Sequence, residues 1–123
     1  MKKNRPVNLN LAAMSWPVTA ISSGLHRITG ILLFISVPFV LWALEMSLTE
    51  SGFHELKVIL TGFVAKFVIW AILAMLAYHI VAGVRHLLMD SGIGESLEGA
   101  RLGSYTVIAL GVVMAALLGV WIW

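Results

Sequence analysis

The chain has 123 residues, of which 60% are hydrophobic and 11% charged, and its formal net charge is +2. A soluble domain usually has about 45–50% apolar and about 25% charged residues, so the composition argues against a soluble enzyme and for a small membrane protein. The length leaves no room for a flavin or nucleotide domain. Because the chain has no cysteine, it forms no disulfide and ligates no iron–sulfur cluster through cysteine.

Residues 1–19 contain no apolar run long enough to cross a bilayer. The segment begins with a basic head that includes Lys2, Lys3 and Arg5, and the stretch from Pro6 to Pro17 is too short to span. We expect residues 1–19 to lie at the cytoplasmic membrane interface.

Three long apolar stretches follow, at about residues 20–44, 60–88 and 102–123. A transmembrane helix needs roughly 20 mostly apolar residues at about 1.5 Å each, and each stretch meets this requirement. Two short polar links, residues 45–57 and 89–101, contain the Gly and Ser clusters typical of turns. The sequence thus predicts one all-α membrane domain of three transmembrane helices, with an N-terminal cytoplasmic interfacial segment.

The distribution of Lys and Arg predicts the orientation of these helices. Cytoplasmic ends usually carry the excess of basic residues, so we expect the N-terminus in the cytoplasm and the C-terminus outside. The basic residues on the N-terminal side are Lys2, Lys3, Arg5, Arg27, Arg85 and Arg101, and those on the other side are Lys57 and Lys66.

A first polar cluster, Ser23, His26 and Arg27, lies about one turn inside the first predicted span. Ser23 is i,i+3 from His26 and i,i+4 from Arg27, so it shares a helix face with both. A hydroxyl, an imidazole and a guanidinium together suit an oxygen-bearing ligand whose charge or protonation changes. The alternative is that Arg27 is an interfacial anchor near anionic lipid and that His26 only reaches toward the interface.

A second cluster, His79, Arg85 and His86, lies in the second span. His79 and His86 share a face and differ by about 10.5 Å in height, which places His79 in the hydrocarbon. A neutral imidazole there needs a strong partner, and haem iron is a candidate. The alternative is a core histidine that hydrogen-bonds a carbonyl or a hydroxyl of a neighbouring helix.

The spacing of the histidines limits how a haem can be held. Two histidines about 10.5 Å apart on one helix cannot reach opposite faces of one iron. His26 is expected at the height of His86, and His54 lies in the outer link. If His79 binds haem, the other axial ligand therefore comes from another chain. The residues expected near the haem propionates are His86, Arg27 and Arg85.

Two motifs stand out in the chain. The first is RPVNL at residues 5–9, followed by SGLHRITG at residues 23–30, and the second is HIVAGVRHLLMDSG at residues 79–92. Both motifs resemble those of the cytochrome b membrane-anchor subunits of bacterial succinate dehydrogenase (succinate:quinone oxidoreductase, respiratory complex II). Together with the three-helix layout, the resemblance covers nearly the whole chain.

The resemblance implies a role for each matching residue. His79 matches the axial ligand of haem b, whose other ligand is a histidine of a second small anchor subunit. Ser23 and Arg27 match the serine and arginine that line the ubiquinone site near the cytoplasmic face. The positions that match residues near the haem propionates are His26, His86 and Arg85.

The resemblance also implies a larger complex in the bacterial inner membrane. A flavoprotein subunit with FAD oxidises succinate, and an iron–sulfur subunit on the cytoplasmic face passes the electrons to ubiquinone beside this chain. The chain is therefore expected to hold no catalytic residue, to be inactive alone, to contact lipid and the second anchor subunit, and to bind no nucleic acid.

Three other interpretations stay open. A quinol:fumarate reductase anchor has the same architecture and runs the reaction in the opposite direction. A haem-free membrane tether for a peripheral enzyme needs no ligand at His79. An unrelated two-haem cytochrome uses His79 and His86 for separate haems, although the chain offers no opposite-helix histidines at both depths.

Overall fold

The computed structural model describes residues 10–123, except for the side chain of Leu11. It contains a short 3₁₀ helix, Leu11–Ala13, and the helices α1 (Val18–Ser47), α2 (Glu50–Leu60), α3 (Phe63–Asp90) and α4 (Leu97–Ile122). No β-strand occurs in this described part of the chain. The basic residues Lys2, Lys3 and Arg5 and the RPVNL motif lie outside the described residues.

The prediction of an all-α protein with three membrane-spanning helices is confirmed, because α1, α3 and α4 are long and apolar enough to cross a bilayer. Their 30, 28 and 26 residues correspond to lengths of about 45, 42 and 39 Å, compared with about 30 Å for the hydrocarbon core of a bilayer. Each helix is therefore long enough to extend into the polar interface. α1 starts directly after Pro17, whose extended backbone (φ −65°, ψ 149°) precedes the first helical turn.

The first link differs from the expected turn, because it contains helix α2. Thr49 caps this helix with a side-chain oxygen that accepts from the Gly52 N–H at 3.1 Å. The second span begins only at Phe63, because Gly62 has the extended backbone (φ −69°, ψ 146°) of a residue that precedes a helix. A short helix and a tight connection thus replace a simple loop.

The second link is the expected turn, and two glycines allow it. Gly92 and Gly94 have φ values of +86° and +73°, in the left-handed region that glycine enters without a steric penalty. Ser96 then caps α4 by accepting from the Gly99 N–H at 3.0 Å. Helix α4 consequently begins at Leu97 rather than at residue 102.

Helix α3 makes the two most extensive helix contacts of the bundle, with α4 and with α1. Two of its polar side chains reach backbone carbonyls of its neighbours. The Tyr78 hydroxyl donates to the Ser22 carbonyl of α1 at 2.9 Å, and the Trp70 indole donates to the Ala115 carbonyl of α4 at 2.8 Å. Hydrocarbon offers no water to these donors, so each bond helps to hold α3 against its neighbour.

Small residues line the contact surfaces of the bundle. Ser104 is fully buried and Ala82 is 3% exposed. Gly111 lies so close to α3 that a Cβ on it would be 2.7 Å from Cδ2 of Tyr78. Small residues let membrane helices approach closely, whereas large apolar side chains such as Phe34 point outward, where lipid or another subunit can cover them.

Replacing Tyr78 with Phe keeps the ring and removes the hydroxyl that binds α1. We expect the free energy of unfolding to fall by about 0.6–1.7 kcal/mol, the usual worth of a hydrogen bond between membrane helices. Thermal denaturation of the detergent-purified protein measures the change. Tyr105→Phe is the matched control, because the Tyr105 ring is 57% exposed. Equal effects of the two substitutions would contradict the proposed importance of the Tyr78 bond.

Two Gly→Ala substitutions test the closeness of α3 and α4. A Cβ on Gly111 meets the Tyr78 ring, whereas a Cβ on Gly24 has no neighbour within 4 Å. Gly111→Ala should therefore cost about 1–3 kcal/mol of stability. Gly24→Ala should have no effect or add up to about 1 kcal/mol, because Ala favours a helix more than Gly does. The thermal midpoints show which variant is less stable. A lower midpoint for Gly24→Ala than for Gly111→Ala would rule out this packing.

Candidate functional site

A group of polar side chains lies between α1 and α3, in the part of the bundle where α1 begins and α3 ends. It contains His26 of α1 and His79 and His86 of α3, and Thr29 of α1 adds a hydroxyl. We call these four residues the histidine cluster.

His79 is held through one ring nitrogen. Its Nδ1 lies 3.1 Å from the Thr29 hydroxyl and 3.1 Å from the backbone carbonyl of His26. These are the neighbouring-helix contacts that the core-histidine alternative requires. Within residues 10–123, however, Nε2 makes no hydrogen bond. The ring is therefore attached to α1 at Nδ1, and Nε2 is available to a ligand.

The His26 ring lies between the other two imidazoles. Its centroid is 4.2 Å from that of His79 and 5.9 Å from that of His86, and the ring planes are inclined by 22° and 25°. The expectation that His26 lies at the height of His86 and not of His79 is therefore wrong, because the His26 ring stacks on both. His26 lies about 12 Å from the first residue of α1. His86 and His79 lie about 6 Å and about 16.5 Å from the last residue of α3. Because α1 begins in the part of the bundle where α3 ends, His26 falls between the other two histidines in height.

The stacked rings do not form a metal site by themselves. His26 and His79 present ring faces to each other, so their in-plane nitrogen lone pairs do not point at a common ion. No group of three or more His, Cys, Asp or Glu suited to a metal ion occurs in the described part of the chain. His26 and His79 are therefore not placed to ligate one metal ion together.

Ser23 and Arg27 differ from their neighbour Ser22 in how the fold uses them. Ser22 is 1% exposed, and its carbonyl accepts from the Tyr78 hydroxyl, so it serves helix packing. Ser23 is partly buried and Arg27 is exposed, and neither side chain has a hydrogen-bond partner among residues 10–123. Gly24 leaves open space beside Ser23. A hydroxyl and a guanidinium one turn apart are therefore available to a molecule outside this chain.

Arg85 and His86 are adjacent in sequence but point to different neighbours. His86 is exposed and stacks on His26. Arg85 donates from Nη2 to the Ala100 carbonyl of α4 at 2.9 Å, and its Nε would lie 2.8 Å from a Cβ on Gly103. The Arg85 guanidinium thus packs against α4, while its expected place near a haem stays a prediction.

Thr29 and Gly30 are the two residues of the site that the sequence analysis did not single out. Thr29 is 8% exposed and donates to the His26 carbonyl at 2.9 Å. A Cβ on Gly30 would lie 3.0 Å from Cε1 of His79, so the ring rests directly on the backbone of α1. Both residues belong to the SGLHRITG motif, but their partner is about 50 residues further along the chain.

Comparisons with known proteins address the whole chain. The family model of the succinate dehydrogenase/fumarate reductase transmembrane subunit matches residues 1–118. The chain is 38% identical to the succinate dehydrogenase cytochrome b556 subunit of Coxiella burnetii, over the full length of both chains. It is 33% identical to the subunit of the same name from Paracoccus denitrificans, over 93% of this chain and 88% of that one. It is 31% identical to the succinate dehydrogenase cytochrome b560 subunit of Reclinomonas americana, over 89% and 81%.

Proposed function

The chain belongs to the family of succinate dehydrogenase/fumarate reductase transmembrane subunits, as a cytochrome b membrane anchor, and we propose that it binds haem b through His79. We further propose that Ser23 and Arg27 form its part of a ubiquinone-reduction site, which receives electrons from succinate through partner subunits.

The observation that carries this proposal is the hydrogen bonding of His79. Nδ1 faces two oxygens of α1, whereas Nε2 has no partner within residues 10–123. Histidines that bind metals commonly donate the second ring N–H to a carbonyl or another oxygen. A neutral histidine with a purely structural role in hydrocarbon would be expected to satisfy Nε2 as well. The pattern therefore favours an iron ligand over a core histidine.

The chemistry around His79 fits a haem. Gly30 removes the side chain that would displace the imidazole. His26 and His86 contribute ring nitrogens, and Arg27 contributes a positive charge, which suit the carboxylates of haem propionates. Bound there, the haem supplies one-electron redox chemistry. A residue of a second small anchor subunit would hold the iron together with His79.

The proposed quinone site relies on two groups that the fold leaves without partners. The Ser23 hydroxyl donates a hydrogen bond to a carbonyl oxygen of ubiquinone, which orients the ring. The positive charge of Arg27 stabilises the negative charge that the quinone oxygens gain on reduction. Because Arg27 is exposed, the remaining wall of the site belongs to a partner subunit.

The other cofactors lie on other chains. A flavoprotein subunit holds FAD and oxidises succinate, and an iron–sulfur subunit carries the electrons to the cytoplasmic face of the bacterial inner membrane. The excess of Lys and Arg near the N-terminus and the α3–α4 link orients this end of the bundle toward that face. The chain alone is therefore inactive, and its role is to anchor the complex and to bind haem and quinone.

His79→Leu tests the haem ligand. We expect the low-spin b-type signal to disappear or change in a dithionite-minus-oxidised visible spectrum of the purified complex, because the iron loses an axial nitrogen. His54→Leu is the control, since His54 is an exposed residue of α2, and it should leave the spectrum intact. An unaltered spectrum in the His79 variant would disprove the ligand assignment.

Arg27→Leu tests the quinone site. We expect succinate:quinone reductase activity to fall by at least about 100-fold, because the reduced quinone loses its stabilising charge. Reduction of an artificial dye by succinate should persist, because the dye takes electrons before the quinone site. Arg101→Leu is the matched control, since Arg101 is an exposed arginine on α4. Normal quinone reduction in the Arg27 variant would refute the assignment.

A further inference from the structure

Thr29 connects the two histidines at the centre of the histidine cluster. Its Oγ1 lies 2.9 Å from the His26 carbonyl and 3.1 Å from Nδ1 of His79, and Nδ1 lies 3.1 Å from the same carbonyl. Three polar atoms thus form a closed triangle between α1 and α3. Thr29 is only 8% exposed, so little of its surface is open to other groups.

The chemistry of donors and acceptors determines where the protons of this triangle lie. A carbonyl oxygen can only accept, so the Thr29 hydroxyl donates its one proton to the His26 carbonyl. The hydroxyl then offers only lone pairs to His79, and Nδ1 faces two acceptors. A bare Nδ1 would set its lone pair against those of the carbonyl at 3.1 Å, which is costly in a low-dielectric interior. Nδ1 therefore carries the hydrogen, and Nε2 carries the lone pair.

Gly30, the next residue along the helix, limits where the ring can lie. A Cβ at this position would be 3.0 Å from Cε1 and 3.7 Å from Nδ1 of His79, so the imidazole lies against bare backbone. The backbone of α1 supports the ring, and the Thr29 hydroxyl with the His26 carbonyl fixes its rotation. The direction of Nε2 is consequently determined by α1, although His79 belongs to α3.

We propose that Thr29 is a positioning residue for the haem ligand, because its hydroxyl oxygen joins the His26 carbonyl in accepting from Nδ1–H and so stabilises the tautomer of His79 whose Nε2 would face the iron. This inference rests on the proposed role of His79 as axial ligand. Residues that bind the second nitrogen of a metal-ligating histidine fix its tautomer and raise its basicity. A more basic imidazole favours ferric over ferrous iron, so Thr29 also lowers the midpoint potential of the haem.

The test compares three variants in the purified complete complex. Thr29→Val keeps the branched shape and lacks the hydroxyl, whereas Thr29→Ser keeps the hydroxyl. Thr106→Val is the matched control, because Thr106 is exposed on α4 and donates to the carbonyl of Leu102 in its own helix at 2.9 Å. The measured quantities are the haem content per complex and the midpoint potential of the haem in a redox titration.

We expect Thr29→Val to raise the midpoint potential, with a change of up to about tenfold in the ferric-to-ferrous ratio, which is up to about 59 mV for a one-electron couple. Thr29→Ser and Thr106→Val should keep the wild-type potential. Loss of haem in Thr29→Val that Thr29→Ser restores would also support the proposal. If the Val variant does not assemble, Thr29→Ala removes the same hydroxyl and should give the same result.

A fully haem-loaded Thr29→Val complex with an unchanged or lower potential would overturn the positioning role, and so would a Thr29→Ser complex that behaves like Thr29→Val. These results are separable from a failure of the ligand assignment itself. In that case the haem spectrum would persist in His79→Leu, whatever the Thr29 variants show.

Discussion

A hydroxyl, an indole or an imidazole inside a bilayer finds no water, so it must find its hydrogen-bond partner within the protein. Four side chains of α3 bind backbone carbonyls of adjacent helices. Trp70 and Arg85 bind carbonyls of α4, whereas Tyr78 and His79 bind carbonyls of α1. Within the described part of the chain, every fully buried side-chain nitrogen or oxygen has a partner, and Nε2 of His79, which has none, is open to the outside of the chain. These bonds set the height and rotation of α3 against its neighbours, and the geometry of the histidine cluster depends on both.

The same requirement separates polar groups that build the fold from those available for chemistry. Ser22 and Ser23 are adjacent, yet Ser22 is buried beneath the Tyr78 hydroxyl, while Ser23 has no hydrogen-bond partner among residues 10–123. Arg85 and Arg27 differ in the same way, because Arg85 donates to α4 and Arg27 is exposed. Ser23 and Arg27 lie one turn apart on α1, and they form the proposed quinone-binding pair.

The histidine cluster also explains why this chain is proposed to work only within a complex. His26 and His79 stack face to face, so in the proposed haem site this chain would offer one ring nitrogen to the iron rather than two. The proposed haem therefore joins this chain to a second anchor subunit, and assembly of that pair is linked to haem binding. Thr29 and the His26 carbonyl hold Nδ1 of His79 from the opposite helix, which would orient Nε2 for the proposed role.

The sequence by itself determined the number of spans, the glycine turn between α3 and α4, and the membership of His79, Ser23 and Arg27 in recognisable motifs. The spans can be recognised in the sequence because a helix needs about 20 apolar residues to cross a bilayer. The turn can be recognised because glycine enters the left-handed region freely. Helix α2 was missed, because eleven residues with mixed polarity between two spans resemble a turn.

Only the tertiary structure decided that His26 lies between His79 and His86, that Nδ1 of His79 is the engaged nitrogen, and that Arg85 packs against α4. The physical reason is that such contacts depend on the relative height and rotation of separate helices. Residues about 50 positions apart meet in the histidine cluster, and a shift of one residue, about 1.5 Å and about 100° of rotation, would bring different side chains together. No local pattern of residues contains that information.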